Sequence, residues 1–196
     1  MSENSNIFSV SCDDIICPTG ALGVAANVSG DCLDAVLSQI GGIILWHPNA
    51  SPPTNWGPTM VVGDFDIDNT DATDTKQKRF ICVGNLPKPE YQKIPTIQYK
   101  TVNVLKTRSF NFKMYHIGAV NYDFLRKIEC GKVRPKIILE TEGGFLLGKD
   151  GGITYSDIEL DAIWDEGETA IEYWEGVITF KTVNSPDRVP NPLPRL

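Results

Sequence analysis

The sequence predicts a mainly β protein: an antiparallel sandwich or barrel with one or two short α-helices and extended arms at both ends. Three observations lead there. Residues 97–115, IQYKTVNVLKTRSFNFKMY, set Phe110, Phe112 and Met114 against Ser109, Asn111, Lys113 and Tyr115, and Val102 and Val104 against Thr101 and Asn103. That two-residue period belongs to a strand with one buried face, and its length far exceeds the usual five or six residues. Secondly, the final third splits into apolar-alternating words separated by glycine-containing turns. Thirdly, only two segments carry helical spacing.

Taken in order, residues 1–30 hold only short apolar words (IFSV, DDIIC, ALGVAA) among Ser, Asn and Gly, which reads as an extended arm. In SGDCLDAVLSQIGG, Asp31 can cap, Leu33, Val36, Leu37 and Ile40 fall at i, i+3, i+4, i+7, and Gly41-Gly42 can stop a two-turn helix. Ile43 to Trp46 then reads as a buried strand and the proline-rich HPNASPPTNWGP as a loop. A short strand is expected at 59–62, ahead of the acidic GDFDIDNTDATDT. KRFICVG reads as a strand, NLPKPEYQKIPT as a connection, and AVNYDFLRKIEC as a helix whose apolar face is Val120, Phe124, Leu125 and Ile128, ended by Gly131. PKIILET, GFLLG, ITYSDIELDAIW and TAIEYWEGVITFKTV are strands, with EGG, KDGG and DEGE as turns. Ile158, Leu160 and Ala162 share a face opposite Asp157, Glu159 and Asp161. The tail NSPDRVPNPLPRL should be extended and unpaired. The expected organisation is an arm over 1–30, one β domain over 31–183 and a proline-rich tail over 184–196.

A chain of 196 residues with 41% hydrophobic and 22% charged content can bury a sizeable core. MSENSNIFSV lacks a basic, then apolar, leader pattern and no run approaches eighteen apolar residues, so neither a signal peptide nor a membrane anchor is expected. Five cysteines (Cys12, Cys17, Cys32, Cys82, Cys130) form no CxxC pair, which fits reduced thiols in a cytoplasmic setting. Together with His47 and His116 they have no metal-ligand spacing, so no metal and no cofactor are expected.

Net charge of -7 conceals segregation: residues 1–75 carry ten acids and no base, 76–134 thirteen bases and three acids, and 135–181 eleven acids and three bases. Opposite charges in separate segments can make complementary surfaces, within one subunit or between copies. Aromatics interleave the basic stretch as in nucleic-acid binders, but the pI near 4.8 and strand alternation assign them to a core.

The sharpest enzymatic motif is DIDNT at 66–70, the DxDxT of haloacid dehalogenase-like phosphotransferases, in which Asp66 would attack phosphorus and Asp68 act as acid/base. That fold requires a parallel sheet with alternating helices, and the surrounding words are antiparallel β. Asp64, Asp66 and Asp68 also begin a calcium-loop spacing, but Asn69 stands where glycine is needed and Thr75 where glutamate is needed. A carbohydrate-binding β module would need its tryptophans on one face, and Trp46, Trp56, Trp164 and Trp174 are scattered. The expectation is a protein that is not an enzyme.

Three blocks resemble a known family. GDCLDAVLSQIGGIILWHPNA, KTRSFNFKMYHIGAVNYDFLRKIECGKVRPKIILETEGGFLLGKDGG and YSDIELDAIWDEGETAIEYWEGVITFK are similar to the opening, the long strand with its helix and hairpin, and the closing strands of tail tube proteins of phages infecting Bacteroidetes-type bacteria. The resemblance implies a tail-tube-type β-sandwich or barrel that closes into rings, commonly of six, stacked into a conduit for DNA. It implies identical subunits and other phage structural proteins as partners, DNA as passing cargo, and a place in the virion tail after assembly in the host cytoplasm. A capsid-decorating or head–tail joining β-sandwich is the alternative structural role. A carboxylate-lined lumen would let DNA slide, because each neutralised phosphate strengthens binding. Candidate lumen residues are Asp157, Glu159, Asp161, Glu172 and Glu175. Candidate subunit-interface residues are Lys100, Lys106, Arg108 and Lys113 on the basic side and Asp64, Asp66 and Asp68 on the acidic side.

Overall fold

The computed structural model describes residues 39–95, 101–115, 117–164 and 172–194, the side chains of 94–95 and 101–104 excepted. The 1–30 arm, the helical pattern over 31–38, Lys100, His116, Cys12, Cys17, Cys32 and the DEGE turn lie outside the described residues. The described residues form nine strands: β1 (Ile40–Trp46), β2 (Gln77–Asn85), β3 (Glu90–Pro95), β4 (Thr101–Tyr115), β5 (Lys136–Thr141), β6 (Phe145–Gly148), β7 (Asp157–Ile163), β8 (Tyr173–Thr182) and β9 (Asp187–Pro190), with helix α1 (Ala119–Glu129) between β4 and β5. They form one sheet in the order β7-β8-β4-β2-β1-β5-β6-β9, with β3 added to β4, and each ladder between them is antiparallel. The mainly β, antiparallel class expected from the sequence is the class observed.

β4 is the longest element, 15 residues or about 50 Å. On one side it pairs β8 over Lys106–Tyr115; on the other, β2 takes Asn111–Met114 and β3 takes Thr101–Thr107. Thr101–Leu105 therefore extends past β8, paired only with β3.

Alternation sends Phe110, Phe112 and Met114 into the main core with Phe80 and Cys82 of β2, Leu160 of β7, and Trp174, Ile178 and Phe180 of β8. Helix α1 covers this core with Phe124, Leu125 and Ile128, three of the four residues of its expected stripe, while Val120 is half-buried. The helix ends as its sequence requires. Gly131 takes φ +69°, its N–H donates to Ile128 O, and Lys132 N–H donates back to Lys127 O, a Schellman closure that glycine makes without steric cost. On the opposite face, Ile44 and Trp46 of β1, Ile138, Leu146, Val189 and Leu193 form a second core. β1 is thus buried on both faces, which explains its unbroken apolar run.

Four expectations need correction. Ile40 does not close a helix but opens β1, and Gly41-Gly42 lies inside that strand at a register shift. Residues 59–62 are not a strand; they turn into a short 3-10 helix (Val62–Asp64). The proline-marked connection contains β3, which tolerates Pro95 because only one of its edges is paired. The tail is not unpaired: β9 joins β6 over Asp187–Pro190 and buries Val189, and Leu193 follows into the second core.

Burial also divides the two described cysteines. Desolvation, reinforced by Glu140 and Glu142, pushes the Cys82 thiol up to about 12, whereas Cys130 is exposed beyond α1. Only a thiolate attacks an alkylating agent. Iodoacetamide at pH 8 should therefore label Cys130 in the native protein and Cys82 only after denaturation, as read by peptide mass spectrometry; native labelling of Cys82 would contradict this packing.

Candidate assembly surfaces

The face of the β2-β4-β8-β7 sheet opposite α1 is solvated. Register aligns Val83, Lys113, Glu175 and Asp161 in one row, and Asn85, Asn111, Val177 and Glu159 in the next. Asp157, Glu159, Asp161 and Glu175 thus share this face, all exposed. Asp161 and Glu175 are directly opposed, an arrangement that repels unless neutralised. Lys113 relieves it from the other side, 3.4 Å from Glu175 and with its ammonium over the Tyr173 ring. Glu172 is exposed but precedes β8, outside this ladder.

The interface candidates separate. Arg108 is only 9% exposed and donates from Nη2 to Ser185 Oγ at 3.0 Å, and Asp64 is equally enclosed, accepting from Val61 N–H, Thr54 Oγ1 and Asn55 Nδ2 at 2.7–2.8 Å. Both are internal, which corrects their assignment to an interface: Asp64 satisfies its own loop, and Arg108 reaches Ser185 after β8 while its Nε has no acceptor. Asp66 pairs with Lys76 at 2.6 Å, and Asp68 accepts from Thr70 N–H and Oγ1. Lys106 is half-buried and lies over the Tyr91 ring.

Hydrogen bonding organises the acidic loop throughout. Asp71 accepts from Thr73, Thr75 and Lys76, and its carboxyl is held well below the ordinary range, chiefly by Thr73. Asp64 is lowered too, first by the Val61 N–H and then by Thr54 and Asn55, and Asp74 pairs with Lys127. Asp64 and Asp71 thus work on their own local turns, while Asp74 ties the loop to α1. Among the described residues no three His, Cys, Asp or Glu converge as a metal cluster. Asp66 and Asp68 stand in a loop clamped to β2 by Gln77 N–H to Asp66 O and Asp68 N–H to Gln77 O, both 2.9 Å, and not at the end of a parallel strand.

Sequence reasoning missed the open edges of the sheet. Among the described residues β3 pairs only β4, and β7 pairs only β8. β7 carries Asp157, Glu159 and Asp161. The β3–β4 hairpin and its approach carry Lys88, Lys93 and Lys106 against Glu90, and residues 90–93 are exposed. Unpaired strand edges are templates for another strand, and charge decides which strand they accept. The third open edge, β9, is four residues long and contains Pro190.

Comparison of the chain with family models, curated proteins and solved structures finds no match in any of the three. Fold and surface therefore define the class: a mainly β, antiparallel domain with oppositely charged open edges. No helix among the described residues is long and apolar enough to cross a membrane.

Proposed function

We propose that this protein is a virion structural subunit, a tail tube protein that builds stacked rings by joining identical copies. The observation that carries the proposal is the pair of open edges on one subunit, β7 acidic and the β3–β4 hairpin basic. Two β7 edges repel each other, as do two hairpins, but β7 of one copy attracts the hairpin of the next. Such a contact is heterologous and generates a ring or a helical tube according to its rotation. Backbone pairing along the seam would supply affinity, and lysine–carboxylate matching would supply partner choice and register. The acidic sheet face would continue across the seam as a lining on which phosphates do not stick. The sequence blocks that resemble tail tube proteins add the expectation of a DNA conduit.

Charge exchange tests the proposal. Purified wild-type protein at high concentration should form rings or tubes in negative stain. Lys88→Glu/Lys93→Glu/Lys106→Glu should remain monomeric by sedimentation, as should Asp157→Lys/Glu159→Lys/Asp161→Lys. An equimolar mixture should assemble with the two variants alternating, since each acidic edge then meets a basic one, and one chain carrying all six substitutions should assemble again. Wild-type protein that stays monomeric at every concentration, or a six-fold variant that does not recover, would overturn the reading.

A further inference from the structure

We propose that the cavity between the β6–β7 connection and the β8–β9 connection binds a small oxyanion of the phosphate or sulfate class. The cavity, about 290 Å3, is lined by Lys149, Thr154, Lys181, Thr182, Ser185 and Asp187 among others. The hydrogen-bond partners of its hydroxyls point to the ligand class. Ser185 Oγ accepts from Arg108 Nη2 at 3.0 Å, and Thr154 Oγ1 accepts from Lys136 Nζ at 3.1 Å. Each hydroxyl has one hydrogen, so with a lone pair turned to a cation, both keep that hydrogen for another acceptor. Thr182 Oγ1 is buried and without a hydrogen-bond partner. The wall therefore offers donors.

The charge agrees. Lys149 and Lys181 enter no ion pair among the described residues, and Asp187 is the one acid among the lining residues. Behind Ser185, Arg108 is nine-tenths buried, its Nε has no acceptor, and no described carboxylate forms an ion pair with it. A buried guanidinium without a counter-charge is costly. An oxyanion in the cavity would supply that charge through the Ser185 hydroxyl and accept charge-assisted hydrogen bonds from the two lysines. A cation would meet a positive field, and a neutral ligand would leave Arg108 uncompensated.

The experiment uses the full chain and inorganic phosphate, with sulfate as a second probe and sodium chloride at matched ionic strength as control. Calorimetric titration should show saturable binding of phosphate, and thermal denaturation a matching rise in Tm. Lys149→Gln/Lys181→Gln, which removes two exposed side chains and leaves the Arg108–Ser185 bond in place, should bind at least about tenfold more weakly. Its circular dichroism spectrum should match the wild type. Absence of saturable binding, or equal binding by the folded double variant, would overturn the proposal. Repeating the titration on the monomeric hairpin variant separates this site from the assembly reading, since the two share no residue.

Discussion

Glu140→Gln should lower the free energy of unfolding by about 3–5 kcal/mol, the cost of stranding a buried charge. Glu140 on β5 accepts both arms of Arg79 on β2, Nε and Nη2, each at 2.7 Å, with side chains 5% and 10% exposed. The strand between them, β1, carries Ile44 at the position that pairs with both Arg79 and Ile138. The pair also fastens the tail: Arg79 Nη2 donates to Pro194 O at 2.8 Å and Asn191 Nδ2 to Glu140 at 3.3 Å. Desolvating two ions costs about as much as their attraction returns, so the pair itself is not a large source of stability. Breaking it is costly because the guanidinium remains. Urea denaturation should therefore show Glu140→Gln far below wild type and the apolar double substitution Arg79→Met/Glu140→Leu recovering most of the loss. A Glu140→Gln variant within about 0.5 kcal/mol of wild type would mean that water reaches Arg79.

Trp174→Ala should cost a comparable amount, about 3–5 kcal/mol. Trp174 is fully buried on β8 and meets Tyr122 of α1 edge-on, ring centroids 5.3 Å apart. Two effects compete. Removing the indole leaves a cavity under the helix, but it also removes an Nε1–H that has no partner, whose burial costs about 1–3 kcal/mol. The cavity wins, because the loss includes the whole apolar ring and the contacts that seat α1. Trp174→Phe separates the terms: it keeps an aromatic ring against Tyr122 and deletes the unpaired donor, so it should lose less than half as much. Thermal denaturation followed by near-ultraviolet circular dichroism reads both. A Phe variant as unstable as the Ala variant would show that the indole nitrogen is satisfied in solution.

Much of this architecture is visible in the residue order. The two-residue period of 109–115 specified β4 and its inward face, and Asp157, Glu159 and Asp161 fell opposite Ile158, Leu160 and Ala162 as read. The stripe Phe124, Leu125, Ile128 with Gly131 placed α1. What failed was local punctuation overruled by distant partners. Gly41-Gly42 has the signature of a helix stop, but β2 and β5 recruit both residues into a strand. Pro87 and Pro89 do lie in a connection, but Pro95 belongs to β3, where an edge strand leaves half of its N–H groups unpaired and so accommodates it. The tail resembles an unstructured segment because its apolar residues, Val189 and Leu193, are sparse; they are held by a second core assembled from residues more than forty positions away. For the assembly surfaces, sequence located the charge blocks but not the edges. An open edge is a property of which strand lies last in the sheet, and non-local pairing decides that.

The position of β1 has a consequence for how the polypeptide is made. Its flanking ladders come from β2, which follows within about forty residues, and from β5, nearly a hundred residues downstream, while β6 waits for β9 near the carboxyl end. A chain emerging from the ribosome can thus form the β1–β2 ladder early, yet one side of its central strand stays uncovered until β5 has been made. Over that interval the nascent chain would expose a sticky apolar ribbon, a period in which it is prone to aggregate.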